Sequence, residues 1–242
     1  MTAKQADSDT HEKLRFCMDL LSHDIQNNNQ AIFSYLELIM STPGTDSRIR
    51  RYAEKAASQL RTGAVLLENV RKTVDAIKAS GRTMFSVDAV SAIAEAEAKL
   101  ITLFPDRQIS VNTVKSTEDP IVLGSETIRD LLLNVLVNVV QLDPGEKVSV
   151  TIRLEDAERL GQSYLRIRIE DKAMMLPPVL KGDLSETAST LDPSKTVKLA
   201  GLMFASLMTE TLGGKVEAEE AVAGDPSAGS AIQIYLRRLG RK

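Results

Sequence analysis

Leu14, Met18, Leu21, Ile25, Asn28, Ile32, Tyr35 and Ile39 recur at alternating spacings of four and three. That is the seam rhythm of a helix packed lengthwise on a partner. The spacing predicts one helix from about Asp9 to Met40. Ser41-Thr42-Pro43-Gly44-Thr45-Asp46 then supplies breakers and N-cap residues. A second helix is expected from about Ser47, with Ala53, Ala56, Leu60, Gly63, Leu67, Val70, Val74 and Ile77 along one stripe, ending at Ser80-Gly81. Each helix of about 30 residues is roughly 45 Å long at 1.5 Å per residue. Two such helices cannot cover both apolar stripes. Pairing two hairpins into a twofold four-helix bundle does, so a homodimer is expected.

From Met84 the pattern changes. Val87-Asp88-Ala89 leads into a helix through Leu103, closed by Phe104-Pro105. Gln108 to Val114 alternates like a half-buried strand, and Ser125 caps a helix through Val140. Lys147 to Leu154 and Tyr164 to Glu170 are strongly alternating strands, joined as a hairpin by the polar stretch Glu155 to Ser163 with Gly161. A helix from about Thr196 to Leu212 ends at Gly213-Gly214. Lys215 to Glu219 and Ala231 to Leu236 are the remaining strands. Helices on one side of a mostly antiparallel sheet make an α+β fold. Two domains are expected: the helical hairpin, residues 9–81, and an α/β sandwich, residues 82–242.

Composition narrows the function classes. With 30 basic and 33 acidic residues the formal charge is −3, which gives no electrostatic argument for nucleic acid or an anionic membrane. Cys17 is the single cysteine, so no intrachain disulfide is available and a reducing compartment is natural. Met1 to Thr10 is polar and lacks a signal-peptide core. The most apolar later run, Leu199 to Met208, is far shorter than the roughly 20 residues a bilayer requires. A cytoplasmic protein without membrane or nucleic-acid partners is expected. Two histidines and one cysteine offer no metal cluster, and no serine-nucleophile motif is visible.

The candidate chemistry lies in Ser22-His23-Asp24-Ile25-Gln26-Asn27-Asn28. An exposed helical histidine beside an aspartate is most often a plain surface residue. Here, however, His23 falls between two seam positions and so points outward from a rigid helix. Asn27 lies one turn on, on the same face. Asp24 is placed to hold one ring nitrogen protonated while the other acts, an arrangement suited to a phosphate-accepting imidazole.

Leu20-Leu21-Ser22-His23-Asp24, with Tyr35-Leu36-Glu37-Leu38 downstream, resembles the dimerisation and histidine-phosphotransfer hairpin of histidine kinases. The α+β part resembles their GHKL-type ATPase domain, and the resemblance runs from about His11 to Leu236. It implies His23 as phosphoacceptor and Asp24 as its activating acid or base. Asn27 would position the phosphoryl group or a hydrolytic water. Leu131-Leu132-Leu133-Asn134-Val135-Leu136-Val137-Asn138 looks like the family's N box; the resemblance assigns Asn134 and Asn138 to the cofactor site and Asn138 to magnesium. Ile169-Glu170-Asp171 with Leu176-Pro177 resembles the adenine-recognising box, Asp171 accepting the adenine amino group. Gly201-Leu202 and Leu212-Gly213-Gly214 resemble the glycine box and the turn after its helix.

The nucleotide boxes depart from the family. Lys172-Ala173-Met174-Met175 stands where the family has Asn-Gly-x-Gly, and glycines there let backbone approach the nucleotide. Leu199-Ala200-Gly201-Leu202 keeps one glycine of two, which obstructs a phosphate cradle. Gln141 and Leu142 replace the basic and aromatic positions after Asn138, removing a cationic partner for phosphate. Lys172, Lys195 or Lys198 could restore charge. Three functions follow. The first is a soluble phosphorelay protein that exchanges a phosphoryl group on His23 with response-regulator receiver domains, loaded by a receiver or by an upstream sensor or kinase. The second is a working soluble kinase using ATP and magnesium. The third is a non-catalytic dimeric scaffold that sequesters receivers.

Overall fold

The computed structural model describes residues 25–78, 84–174, 176, 181–184 and 200–238. The chain divides into two compact units, Met1–Lys78 and Ala79–Lys242. In the first, helix α1 covers residues 25–41 and α2 is Ser47–Lys78. Between them Gly44 takes φ +81°, Thr42 donates its amide to Leu38 O at 3.0 Å, and Asp46 Oδ1 accepts the Arg48 amide at 2.7 Å. The latter satisfies one of the orphan donors at the start of α2.

Phe33, Leu36 and Met40 are half-buried along α1, and the Arg61 guanidinium of α2 lies 4.8 Å from the Phe33 ring centre. On α2, Ala53 and Ala57 are buried while Ala56 is exposed, one position off the expected stripe. The four-three seam is not the face turned to α2: Ile25, Ile32, Tyr35 and Ile39 are 43, 48, 67 and 38% exposed. The earlier seam residues and Cys17 lie outside the described residues.

The second unit has the order β1 (Phe85–Asp88), α3 (Ala89–Leu103), β2 (Gln108–Lys115), β3 (Ile121–Gly124), α4 (Thr127–Leu142), β4 (Lys147–Arg159), β5 (Gln162–Asp171), β6 (Gly182–Asp183), α5 (Ala200–Thr211), β7 (Lys215–Val222) and β8 (Asp225–Arg237). A six-stranded sheet runs β2-β4-β5-β8-β7-β6, antiparallel except for β2 against β4. β1 and β3 form a separate antiparallel pair. Val148, Val150, Ile152 and Leu154 of β4 and Leu165, Ile167 and Ile169 of β5 alternate into the core, each burial worth about 1.5–3 kcal/mol. α4 packs between α3 and α5, and every residue from Asp130 to Val140 is buried. Its nearly unbroken apolar run suits a helix covered all round.

The other sheet face is covered by charged side chains. Arg153 and Arg168 flank Glu170 at 3.4 and 2.5 Å, and Arg168 also pairs with Glu219. Arg166 pairs with Glu155, Arg159 with Glu217 at 2.7 Å, and Lys215 with Asp183 at 2.9 Å. Beneath them Ala231, Gln233 and Tyr235 of β8 are buried, with Arg159 4.2 Å from the Tyr235 ring centre.

The expected polar connection between β4 and β5 is strand instead. Pairing continues to Arg159↔Gln162, and only Leu160 and Gly161 turn, at φ 51° and 72°. Ion pairs and cross-strand contacts replace apolar alternation there, so periodicity stops before the strands do. β1, β3 and β6 are too short to show a period. α4 ends at Leu142, two residues beyond expectation. Its N-cap is Glu126, without a side-chain bond, while Ser125 Oγ accepts the Thr127 amide at 3.4 Å.

Candidate functional site

Asn134 and Asn138 sit one turn apart on α4, 0 and 1% exposed. Helix α4 holds both amides inside the core, where each polar atom needs a partner. Asn134 Nδ2 lies 3.8 Å from Met208 Sδ of α5. Asn138 Nδ2 donates to Asn134 O at 2.8 Å, and Asn138 Oδ1 has no donor.

Asp171 ends β5 and is 2% exposed. Its Oδ1 accepts the amides of Ala173 at 2.7 Å and Met174 at 3.0 Å, which folds the chain back as a turn. Oδ2 has no donor. Burial raises the Asp171 carboxyl above its ordinary pKa; the turn amides pull it back, and Asp143 pushes it further up. β8 passes so close that a Cβ on Gly229, at φ +92°, would fall 2.5 Å from Lys172 Cα. Met174 is fully buried and Leu176 donates its amide to Ser230 Oγ at 3.3 Å.

Asp143, the C-cap of α4, is 4% exposed, and its Oδ1 accepts the Gly145 amide at 2.5 Å. Arg107 binds this end of α4 from the loop before β2. Its guanidinium donates to Asp143 O at 2.8 Å and also to Val140 O and Gly145 O. Sequence reasoning missed both residues. Asp-Pro-Gly reads as a turn, and no local signal links Asp143 to Asp171 or Arg107 to a helix end 33 residues away.

The structure brings Asn134 and Asn138 together on one helix. Gly201 is buried near the start of α5. Asn27 lies exposed on α1. His23 and Asp24 lie outside the described residues, as do Met175, Lys195 and Lys198. Lys172 is exposed. Among the described residues no group of three or more His, Cys, Asp or Glu could hold a metal, and no helix is long and apolar enough to cross a membrane.

The open oxygens of Asn138 and Asp171 are of the kind that accept a cation and an N–H donor respectively.

No protein-family model and no curated protein matches the chain. Solved structures match it in fold. Full-length ShkA in complex with AMPPNP is 17% identical with a TM-score of 0.56, over 93% of this chain and 46% of that one. The nucleotide-free catalytic domain of histidine kinase ThkA is 18% identical with a TM-score of 0.51, over 64% of this chain and 96% of that one. The α/β unit of this chain has the fold of the GHKL-type catalytic domains of histidine kinases.

Proposed function

We propose that this chain is a cytoplasmic, homodimeric, histidine-kinase-like phosphotransfer protein that carries a phosphoryl group on His23 and exchanges it with a response-regulator receiver domain. An imidazole nitrogen of His23 attacks the phosphorus of a receiver aspartyl phosphate. The N–P bond forms, the P–O bond to the aspartate breaks, and the carboxylate leaves. The reverse step loads the next receiver. Asp24 keeps the other ring nitrogen protonated, and Asn27 orients the phosphoryl oxygens.

The observation that carries this proposal is the contrast between two stretches of the sequence. His23-Asp24-x-x-Asn27 is complete in sequence. The segment that resembles the nucleotide boxes has Ala173 and Met175 where the family has glycines, and Met174 is buried. The outward stripe Ile25, Ile32, Tyr35, Leu38 and Ile39, with Ile49 and Tyr52 of α2, supports a second copy completing a four-helix bundle.

A second reading, an ATP-dependent kinase, is favoured by the unpartnered oxygens of Asn138 and Asp171. Asn138 would then hold magnesium and Asp171 the adenine amino group, and the nucleotide would supply the phosphoryl group. Labelled phosphate should move from a phosphorylated receiver to the wild-type chain and not to His23→Ala; equal labelling refutes the proposal. Acid-labile, base-stable label acquired from ATP and magnesium would establish the kinase instead. Receiver binding that survives His23→Ala, with no transfer by wild type, would leave only a scaffold.

A further inference from the structure

β2 is the outermost strand of the six-stranded sheet and, among the described residues, pairs with β4 alone. The Gln108 amide donates to Glu146 O at 3.0 Å and the Ser116 amide to Leu154 O at 2.9 Å. Between these two bonds the register with β4 runs without a shift. Backbone direction alternates along a strand, so Gln108, Ser110, Asn112 and Val114 turn their N–H and C=O groups to β4. Ile109, Val111, Thr113 and Lys115 turn theirs outward, an unpaired row that can template another strand.

The opposite edge of the sheet is guarded. There β6 covers Glu217 and Ala218, β7 carries Lys215, Glu217, Glu219 and Glu220, and its register with β8 slips between Glu220 and Val222. β2 lacks such devices: Ile109 to Val114 contains no charge and no proline.

The two faces beside β2 differ in chemistry. Ile109 and Val111 are half-buried, opposite the core residues Val148 and Val150. The other face carries Ser110, Asn112 and Val114, with Lys147 opposite Gln108 and Arg153 opposite Val114. Lys147 is exposed. The Arg153 side chain is 42% exposed, and Glu170 lies 3.4 Å from it but 2.5 Å from Arg168. No acidic residue occurs in β2 or in residues 147–153 of β4.

We propose that β2 takes an extended segment of a partner protein as a further strand of the sheet. Main-chain bonds to Ile109, Val111, Thr113 and Lys115 hold the segment, and its alternate side chains select it. Those on the core side are apolar and continue the row of Ile109 and Val111. Those on the other side are carboxylates that face Lys147 and Arg153. Strands spaced about 4.8 Å apart put the segment roughly 10 Å from β4, a gap that a lysine or arginine and a glutamate close together. The edge is open to this segment whether or not His23 carries phosphate.

Fluorescence anisotropy of the full chain tests this, with a dye-labelled peptide alternating valine and glutamate over the 8 residues of β2. Saturable binding is expected. It should be about tenfold weaker for the valine–lysine counterpart, and absent when alternate amides of the glutamate peptide are N-methylated. Thr113→Pro removes an outward amide and leaves the bonds to β4 in place. That variant should keep the wild-type thermal midpoint and lose the peptide. Failure of the wild type to bind, or equal binding of the lysine or N-methylated peptide, overturns the proposal. So does an oligomer that Thr113→Pro dissolves, since the occupant would then be a second copy of the chain. If Thr113→Pro does not fold, the N-methylated peptide decides on the wild-type chain.

Discussion

Replacing Arg107 by methionine tests what holds the buried end of α4. The Arg107 side chain is 16% exposed, and its guanidinium serves three backbone carbonyls. Methionine keeps much of the apolar stem and removes every donor. Val140 and Asp143 are buried, and leaving their carbonyls unsatisfied costs roughly 1–3 kcal/mol each. Gly145 is half-exposed, so water can take over that bond at little cost. The expected loss is about 3 kcal/mol, a large share of an ordinary domain's stability. Arg107→Lys should fall between, since one ammonium cannot span three divergent carbonyls. Urea unfolding followed by far-ultraviolet circular dichroism reads the α/β unit, and amide exchange on α4 localises the effect. A loss under about 1 kcal/mol in the methionine variant, or full activity of lysine as a substitute, would refute a three-carbonyl clamp.

Gly229→Ala should cost about 3 kcal/mol, because φ +92° disfavours any Cβ and the new atom meets the Lys172 backbone; a change under about 1 kcal/mol in the urea midpoint would show that the turn yields freely. For Glu217, burial pushes the carboxyl up but the bonds from Arg159 and Lys215 outweigh it and hold its pKa below the ordinary value. Its stabilisation is thus present above the unfolded pKa of about 4.5 and lost as pH falls through the lower folded value. Glu217→Gln should have a shallower acid limb in thermal melts than wild type, and an unchanged limb contradicts the pairing. Ile32→Glu places a charge in the outward stripe of α1 and should give monomers by sedimentation equilibrium; an intact dimer would put the interface elsewhere.

Legibility in the sequence followed period and reach. α3 announced itself through Asp88, whose side chain caps the Val90 amide at 2.8 Å, and through its apolar spacing. β4 and β5 were visible where Val148 to Leu154 and Leu165 to Ile169 alternate. They became invisible beyond Leu154 and before Tyr164, where polar residues such as Glu158 and Ser163 take over the pairing. Asn134, Asn138 and Asp171 stood out by resemblance, and their burial gives a physical reason to notice them. Asp143 and Arg107 did not, because each acts on a group distant in sequence. The α1 seam was visible as a period, yet a period does not say which of two neighbours it meets. Ala53 and Ala57 of α2 are the small buried residues facing inward, and the large seam residues face outward.

The charged carpet over the sheet constrains how this protein can diverge. Its arginines do two jobs at once: their stems shield Tyr235 and Gln233 from water, and their heads neutralise Glu155, Glu170, Glu217 and Glu219. Changing one member strands its partner and uncovers β8, so single exchanges on this face are coupled. Drift there must proceed in matched pairs across strands, cation and carboxylate together. The turn at Leu160, fully solvent-exposed, is bound by no such pairing and can vary alone.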